Sequence, residues 1–102
     1  MLLDKDRRGL LRAALGEATG GFAARSFPDA ERVAVIDLQD RLSKNFDVSL
    51  TLDDMELFKL ALGFALKELG PEEFQTITGY DFDFGTSTLA ELEQVDWKTA
   101  NE

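Results

Sequence analysis

The sequence predicts a compact, mainly α fold, with four or five helices in a single globular domain over residues 1–102 and frayed residues at 98–102. Apolar residues recur at three- and four-residue spacing along most of the chain, which is the pattern of amphipathic helices. Gly and Pro residues divide these stretches into helix-length segments. With 102 residues, 44% apolar and 30% charged, the chain has the size and composition of one folded domain.

The first two helices follow from this spacing. The first covers about Asp4–Ala18, with Asp4 as its N-cap and Gly20 as its stop. The second begins at Pro28, which suits the first turn of a helix, and ends near Lys44. The residues expected to face the core are Leu10, Leu11, Ala14, Leu15, Val35, Leu38 and Leu42.

Two short stretches, Phe46–Leu52 and Tyr80–Phe84, alternate between apolar and polar residues. Alternation of this kind is typical of a half-buried strand. Because an isolated strand is unstable, one interpretation is a short two-stranded pairing between them. The alternative is that both are extended linkers whose apolar side chains fill the core.

A strongly apolar third helix over residues 54–69 is expected to be buried at the centre of the fold. Asp53 and Glu56 predict a capping box at its start, and Gly70 ends it. Its polar positions form only a narrow stripe: Glu56, Lys59, Gly63 and Lys67. A helix that is apolar on most sides must be covered on most sides, either at the centre of the domain or in a subunit interface.

Two further helices are predicted after Gly70. Pro71 opens a short one that stops at Gly79. Thr88 and Glu91 have the spacing of a second capping box, which places the start of the last helix within residues 86–88.

Charge is divided unevenly along the chain. Residues 1–46 carry eight Lys or Arg and seven Asp or Glu, whereas residues 47–102 carry three and thirteen. The stretch from Glu68 to Trp97 contains no cation. Such an acidic lobe repels nucleic acid and anionic membranes and attracts basic surfaces. We therefore expect neither direct nucleic-acid binding nor membrane association.

The residue types that are missing restrict the chemistry. The chain has no Cys and no His, which removes thiolate nucleophiles, imidazole bases and the usual zinc ligands. The acidic pairs at 53–54 and 72–73 lie at predicted helix starts, where the helix dipole favours carboxylates without any catalytic role. We expect a protein that is not an enzyme and that has no cofactor and no metal site.

No signal peptide or membrane span is expected from the sequence. The apolar residues 1–3 are followed at once by five charged residues. The longest apolar-rich stretch, Leu57–Leu69, contains two lysines and is too short to cross a bilayer. A cytoplasmic location is therefore the default expectation.

Some acids of the lobe do not lie at predicted helix starts, so the helix dipole does not account for them. Aromatic residues are interleaved with these acids. This combination is typical of an interaction hot spot with a charged rim. The candidate partner-binding residues are Tyr80, Asp81, Phe82, Asp83, Phe84, Glu91, Glu93, Asp96 and Trp97.

Two functions fit these features. The first is a non-enzymatic acidic interaction module, such as an inhibitor, an immunity protein or an antitoxin, that engages a basic site on a partner protein. The second is a structural or scaffolding homo-oligomer, a homodimer included, that associates through the apolar helix 54–69. A third interpretation is that the acidic surface only keeps the protein soluble.

Overall fold

Four helices make up most of the described part of the chain. The computed structural model describes residues 4–20, 27–46 and 48–94. The helices are α1 (Lys5–Gly20), α2 (Asp29–Lys44), α3 (Leu52–Thr78) and α4 (Phe82–Gln94). α3 is central, because it packs against α1, α4 and, over a smaller area, α2. The predicted α fold with a buried central helix is therefore confirmed.

The core is one apolar cluster to which every helix contributes. α1 supplies a fully buried leucine and alanine face, and α3 supplies the largest share. The largest fully buried aromatic side chains are Phe27, Phe58 and Phe74. The predicted core residues of the first two helices, Leu10, Leu11, Ala14, Leu15, Val35, Leu38 and Leu42, are all buried.

α3 begins two residues earlier than the sequence predicts. Its N-cap is Thr51, whose hydroxyl accepts a hydrogen bond from the Asp54 amide at 3.1 Å, while the Asp54 carboxylate accepts one from the Thr51 amide at 2.8 Å. The predicted box of Asp53 with Glu56 is therefore wrong. A threonine and an aspartate three residues apart can form the two reciprocal hydrogen bonds of a capping box, as an aspartate and a glutamate can. The sequence contains both pairs, Thr51 with Asp54 and Asp53 with Glu56.

The predicted break at Gly70 is present as an interruption within α3. Gly70 has φ 74° and ψ 175°, a conformation outside the helical region that a side chain would strain. Pro71 follows directly and starts the second part of the helix, where its missing amide hydrogen costs nothing. Gly79 then ends the helix, with its amide donating to the Gln75 carbonyl at 2.9 Å.

The predicted two-stranded pairing is wrong, since the described residues contain no strand. The segment 48–50 is irregular, and its side chains Val48 and Leu50 pack against the core. The Arg8 guanidinium donates to the carbonyls of Phe46 at 3.0 Å and Val48 at 2.9 Å. These bonds satisfy backbone acceptors that a strand partner would otherwise have to satisfy. The alternative of a linker that fills the core is the correct one for this segment.

The second alternating stretch belongs to the start of α4. The Gly85 amide donates to the Asp81 carbonyl at 3.1 Å, so the helix begins at Phe82 and not at 86–88. Thr88 therefore lies inside the helix, where it is fully buried and its hydroxyl donates to the Phe84 carbonyl at 2.8 Å. The predicted capping box of Thr88 with Glu91 is wrong. A threonine can bond either to a helix start or back to the preceding turn, and sequence alone does not separate the two.

α4 lies close against α3 at Gly85. A Cβ atom on this residue would lie 2.7 Å from Phe74 Cζ and 3.0 Å from Leu66 Cδ2. Phe74 is fully buried and packs edge-on against Phe82, with ring centroids 5.8 Å apart, so its ring has little room to move. The missing side chain at Gly85 is what lets the two helices pack at this distance.

We expect Gly85→Ala to lower the free energy of unfolding by about 1–3 kcal/mol, because overpacking outweighs the gain in helix propensity. Gly16→Ala in α1 is the matched control, since a Cβ there meets no described atom within 4 Å. The control should be stabilised by up to about 1 kcal/mol. Urea denaturation of both variants measures the difference, and equal stability of the two would contradict the close approach at Gly85.

Candidate functional site

The acidic lobe predicted from the sequence is an exposed surface of α3 and α4. Six carboxylates between residues 68 and 94 are exposed and have no ion-pair partner among the described residues. They are Glu68, Glu72, Glu73, Asp81, Asp83 and Glu93. No cation of the described residues therefore offsets the charge of these six side chains.

Several cations of the first half of the chain are used inside the fold. Arg8 holds the carbonyls of residues 46 and 48, and Arg41 binds the buried Asp54. Arg12 lies over the Phe46 ring, with its guanidinium carbon 5.8 Å from the ring centroid. Some of the cations that could have balanced the negative charge of the lobe therefore make structural contacts elsewhere in the fold.

A shallow hollow with acidic walls, which we call the acidic depression, lies where α1, the end of α3 and the start of α4 meet. It has a volume of about 390 Å³. Its lining residues are Asp6, Gln75, Gly79, Tyr80, Asp81 and Phe84. Tyr80 and Phe84 are four residues apart, and their ring centroids are 5.8 Å apart with an interplanar angle of 32°. Two carboxylates and two aromatic rings therefore line one hollow.

Three of the candidate residues predicted from the sequence, Tyr80, Asp81 and Phe84, line this depression. The other described candidates lie elsewhere. Phe82 packs against Phe74, and Asp83 is exposed on the first turn of α4. The last two candidates, Asp96 and Trp97, lie outside the described residues.

Glu91 is engaged by an arginine from α1. Arg7 donates to Glu91 Oε1 at 2.9 Å and to the Asp4 carboxylate at 2.7 Å, and its guanidinium carbon lies 5.8 Å from the Phe84 ring centroid. The Arg7 amide also donates to Asp4, which holds the pKa of that carboxyl below its ordinary value. Arg7 therefore ties the start of α1 to α4 and neutralises one acid of the predicted patch.

Asp6 is the residue of the depression that sequence reasoning missed. It lies in the half of the chain whose charges nearly balance, where a single acid beside Lys5 and Arg7 does not stand out. The available signal was Gly9, three residues later in the middle of α1. A Cβ atom there would collide with the Tyr80 hydroxyl. A glycine inside a helix often marks such a close approach, but it does not name the partner.

A second hollow, which includes two cations, adjoins the depression. Asp6 and Tyr80 also line a neighbouring hollow of about 530 Å³ that includes Lys5 and Arg12. Lys5 and Arg12 therefore lie next to the side of the depression that Asp6 and Tyr80 form.

An apolar groove of about 510 Å³ forms a second surface feature, which we call the α3–α4 groove. Its floor contains Phe27, Leu60, Phe64 and Leu89, and Phe27 meets Phe64 edge-on with ring centroids 5.1 Å apart. The expected polar stripe of the central helix borders it through Glu56, Lys59, Gly63 and Lys67. Glu93, another candidate residue, also lines this groove and not the depression.

The described residues hold no group of three or more Asp or Glu side chains that could bind a metal ion. None of the described helices is long and apolar enough to cross a membrane. No family model, curated protein or solved structure matches this chain significantly. The geometry of the chain itself therefore carries the functional argument.

Proposed function

We propose that this protein is a non-enzymatic interaction module that binds a basic surface of a partner protein through the acidic depression. The observation that carries the proposal is the pairing of two carboxylates, Asp6 and Asp81, with two aromatic rings, Tyr80 and Phe84, in one hollow. Further exposed carboxylates of the acidic lobe lie along α3 and α4, at Glu68, Glu72, Glu73, Asp83 and Glu93.

The chemistry of the depression suits an arginine or lysine side chain. A guanidinium that enters it can donate to a carboxylate and lie over an aromatic ring, as Arg7 of the chain itself does with Asp4 and Phe84. The hollow is open, so the ion pair is partly solvated and contributes modestly to affinity. The lobe as a whole adds attraction at longer range, which mainly raises the association rate.

A protein whose own site is a basic groove is the partner class that this surface fits best. Enzymes that act on nucleic acids have such grooves, because neutralising phosphates requires arginine and lysine. An inhibitor, immunity protein or antitoxin would occupy that groove in place of the nucleic acid. The full negative charge of the lobe supports this assignment, since a carboxylate surface imitates a phosphate backbone.

The test is affinity capture from the native lysate with the immobilised protein, followed by identification of the retained proteins. We expect at least one basic protein to be retained at low salt and released at high salt, because screening weakens exposed charge pairs. Absence of any basic protein at low salt would contradict the proposal.

Charge-removing variants test whether the partner binds at the depression or elsewhere on the acidic lobe. Asp6→Asn with Asp81→Asn removes two charges from the depression, and Glu72→Gln with Glu73→Gln removes two from the lobe outside it. We expect the first pair to weaken binding of the identified partner about tenfold, which corresponds to about 1.4 kcal/mol. The second pair should change it much less. Equal loss in both would assign binding to net charge and not to the depression.

A further inference from the structure

The α3–α4 groove has an unusual charge environment for the acidic half of the chain. Residues 48–94 contain two cations, Lys59 and Lys67, and both border this groove. Its floor is apolar, and Leu60 within it is 40% exposed. Gly63 contributes no side chain, which leaves the middle of the groove open. An occupant that matches the groove therefore needs apolar side chains flanked by acids.

The outer face of α2 carries this arrangement. Asp29, Val33, Ile36 and Asp40 are spaced by four, three and four residues, so they form one stripe along the helix. We call this stripe the α2 ridge. Val33 is 76% exposed and Ile36 is 52% exposed, which makes them the two most exposed large apolar side chains in the described part of the chain. The side that packs on the core lies opposite, through Val35, Leu38 and Leu42.

We propose that the occupant of the groove is the α2 ridge of a second copy of this chain. Val33 and Ile36 would cover Leu60 and Phe64, and the two aspartates of the ridge would face the two lysines of the groove. This inference does not depend on the acidic depression, which shares no lining residue with the groove.

Charge complementarity favours a second copy over an unrelated occupant. Within the described residues, Asp29 and Asp40 make only local pairs, at 3.4 Å with Arg32 and 3.0 Å with Lys44. Lys59 likewise makes only a 3.9 Å pair with Glu56 there. Exposed pairs of this kind are weak and are readily exchanged. The contact also covers three of the four exposed large apolar side chains of the described residues, namely Val33, Ile36 and Leu60. Burial of those side chains supplies the driving force.

The two surfaces adjoin, which lets the contact be reciprocal. Pro28 lines the groove and directly precedes the first residue of α2. Each copy can therefore offer its ridge while it receives the ridge of the other, and the assembly closes as a two-fold dimer. The net charge of −9 on each copy opposes this association at long range. At about 0.15 M salt that repulsion is screened beyond about 8 Å, whereas the contact itself is not.

Sedimentation equilibrium of the full chain at 0.15 M salt tests the proposal. We expect the average mass to rise toward twice that of the monomer as the concentration increases. Val33→Ser with Ile36→Ser should abolish the rise, because the ridge is lost while the exposed positions leave the fold intact. Ile77→Ser is the matched control. Ile77 is also an exposed large apolar residue, at 46%, but it lies outside both the α2 ridge and the α3–α4 groove.

Charge reversal distinguishes this contact from other modes of association. A variant with Lys59→Glu and Lys67→Glu should remain monomeric, and so should one with Asp29→Lys and Asp40→Lys. An equimolar mixture of the two should recover the dimer, because each ridge then meets a groove of opposite charge. A wild type that stays monomeric at every concentration, or a mixture that does not associate, would overturn the proposal and leave the groove to another occupant.

Discussion

Phe58→Ala is expected to lower the free energy of unfolding by about 3–5 kcal/mol. Phe58 is fully buried and lies in the first half of α3, the helix that packs against all the others. Its removal leaves a cavity between helices that cannot close without moving α3. A domain of this size has a total stability of about 5–15 kcal/mol, so the variant loses a large part of it.

Phe64→Ala is the control in the same helix. The sequence predicts that helix 54–69 is covered on most sides, but the structure leaves Phe64 partly exposed on the floor of the α3–α4 groove. We expect the free energy of unfolding to fall by roughly 1–2 kcal/mol, because the partly exposed Phe64 ring buries less apolar area than the Phe58 ring. Solvent can also fill the space that the Phe64 ring leaves. Urea denaturation of both variants gives the comparison. A loss at Phe64 that equals the loss at Phe58 would contradict the position of the groove.

The helices of this fold could be predicted from the sequence because each has a clear apolar period and clear stops. α2 begins at Asp29, one residue after the predicted start at Pro28, and ends at Lys44 as expected. The break at Gly70 lies where Gly is followed by Pro. These signals are local, so they need no knowledge of the rest of the chain. The central position of α3 followed in the same way from its nearly continuous apolar surface.

The errors occur where a local pattern has two solutions. Residues 80–84 alternate like a strand, but their spacing also suits the start of a helix, in which Tyr80 and Phe84 meet four residues apart. In the helix, Gly85 has no side chain and so leaves room for the Phe74 ring between α4 and α3. This contact joins two helices in the folded protein, and so a local sequence pattern does not indicate it.

The candidate site was only partly predictable for the same reason. Tyr80, Asp81 and Phe84 were found from the mixture of acids and aromatics, and the structure places them together. Asp6 comes from a helix more than seventy residues away in sequence, and no charge count could connect it to Asp81. The ion pair between Arg7 of α1 and Glu91 of α4, at 2.9 Å, likewise joins residues that are distant in the sequence, so the charge pattern does not indicate it.

Asp54→Ala is the second substitution with a large expected effect, at about 3 kcal/mol. Asp54 is 3% exposed, and its carboxylate accepts two hydrogen bonds from Arg41, at 2.9 and 2.5 Å, and one from the Thr51 amide. The substitution removes the capping box of α3 and the main partner of Arg41 together. Arg41 is one third exposed and can be rehydrated, which keeps the loss at the low end of the range for broken buried pairs.

Asp37→Ala is the matched control for this pair. Asp37 binds the same arginine at 3.1 Å from the preceding turn of α2, but it is mostly exposed. We expect a loss of about 0.5 kcal/mol, as for other exposed pairs at this helical spacing. Chemical denaturation at neutral pH compares the two variants. Equal losses of unfolding free energy in the two variants would mean that burial does not strengthen the interaction of Asp54 with Arg41.

The contribution of Asp54 should also disappear in acid. Burial by itself raises the pKa of the Asp54 carboxyl, but the hydrogen bonds and charge of Arg41, together with the Thr51 amide, lower it below the ordinary value of 3.8. Because the folded-state pKa is the lower one, the stabilisation is fully present above the unfolded pKa and is lost as the pH falls below 3.8 through the folded value. The difference in unfolding free energy between the wild type and Asp54→Asn is therefore expected to be constant at neutral pH and to shrink below about pH 4. A difference that stays constant down to the lowest pH at which the protein folds would show that Asp54 acts through its shape and not through its charge.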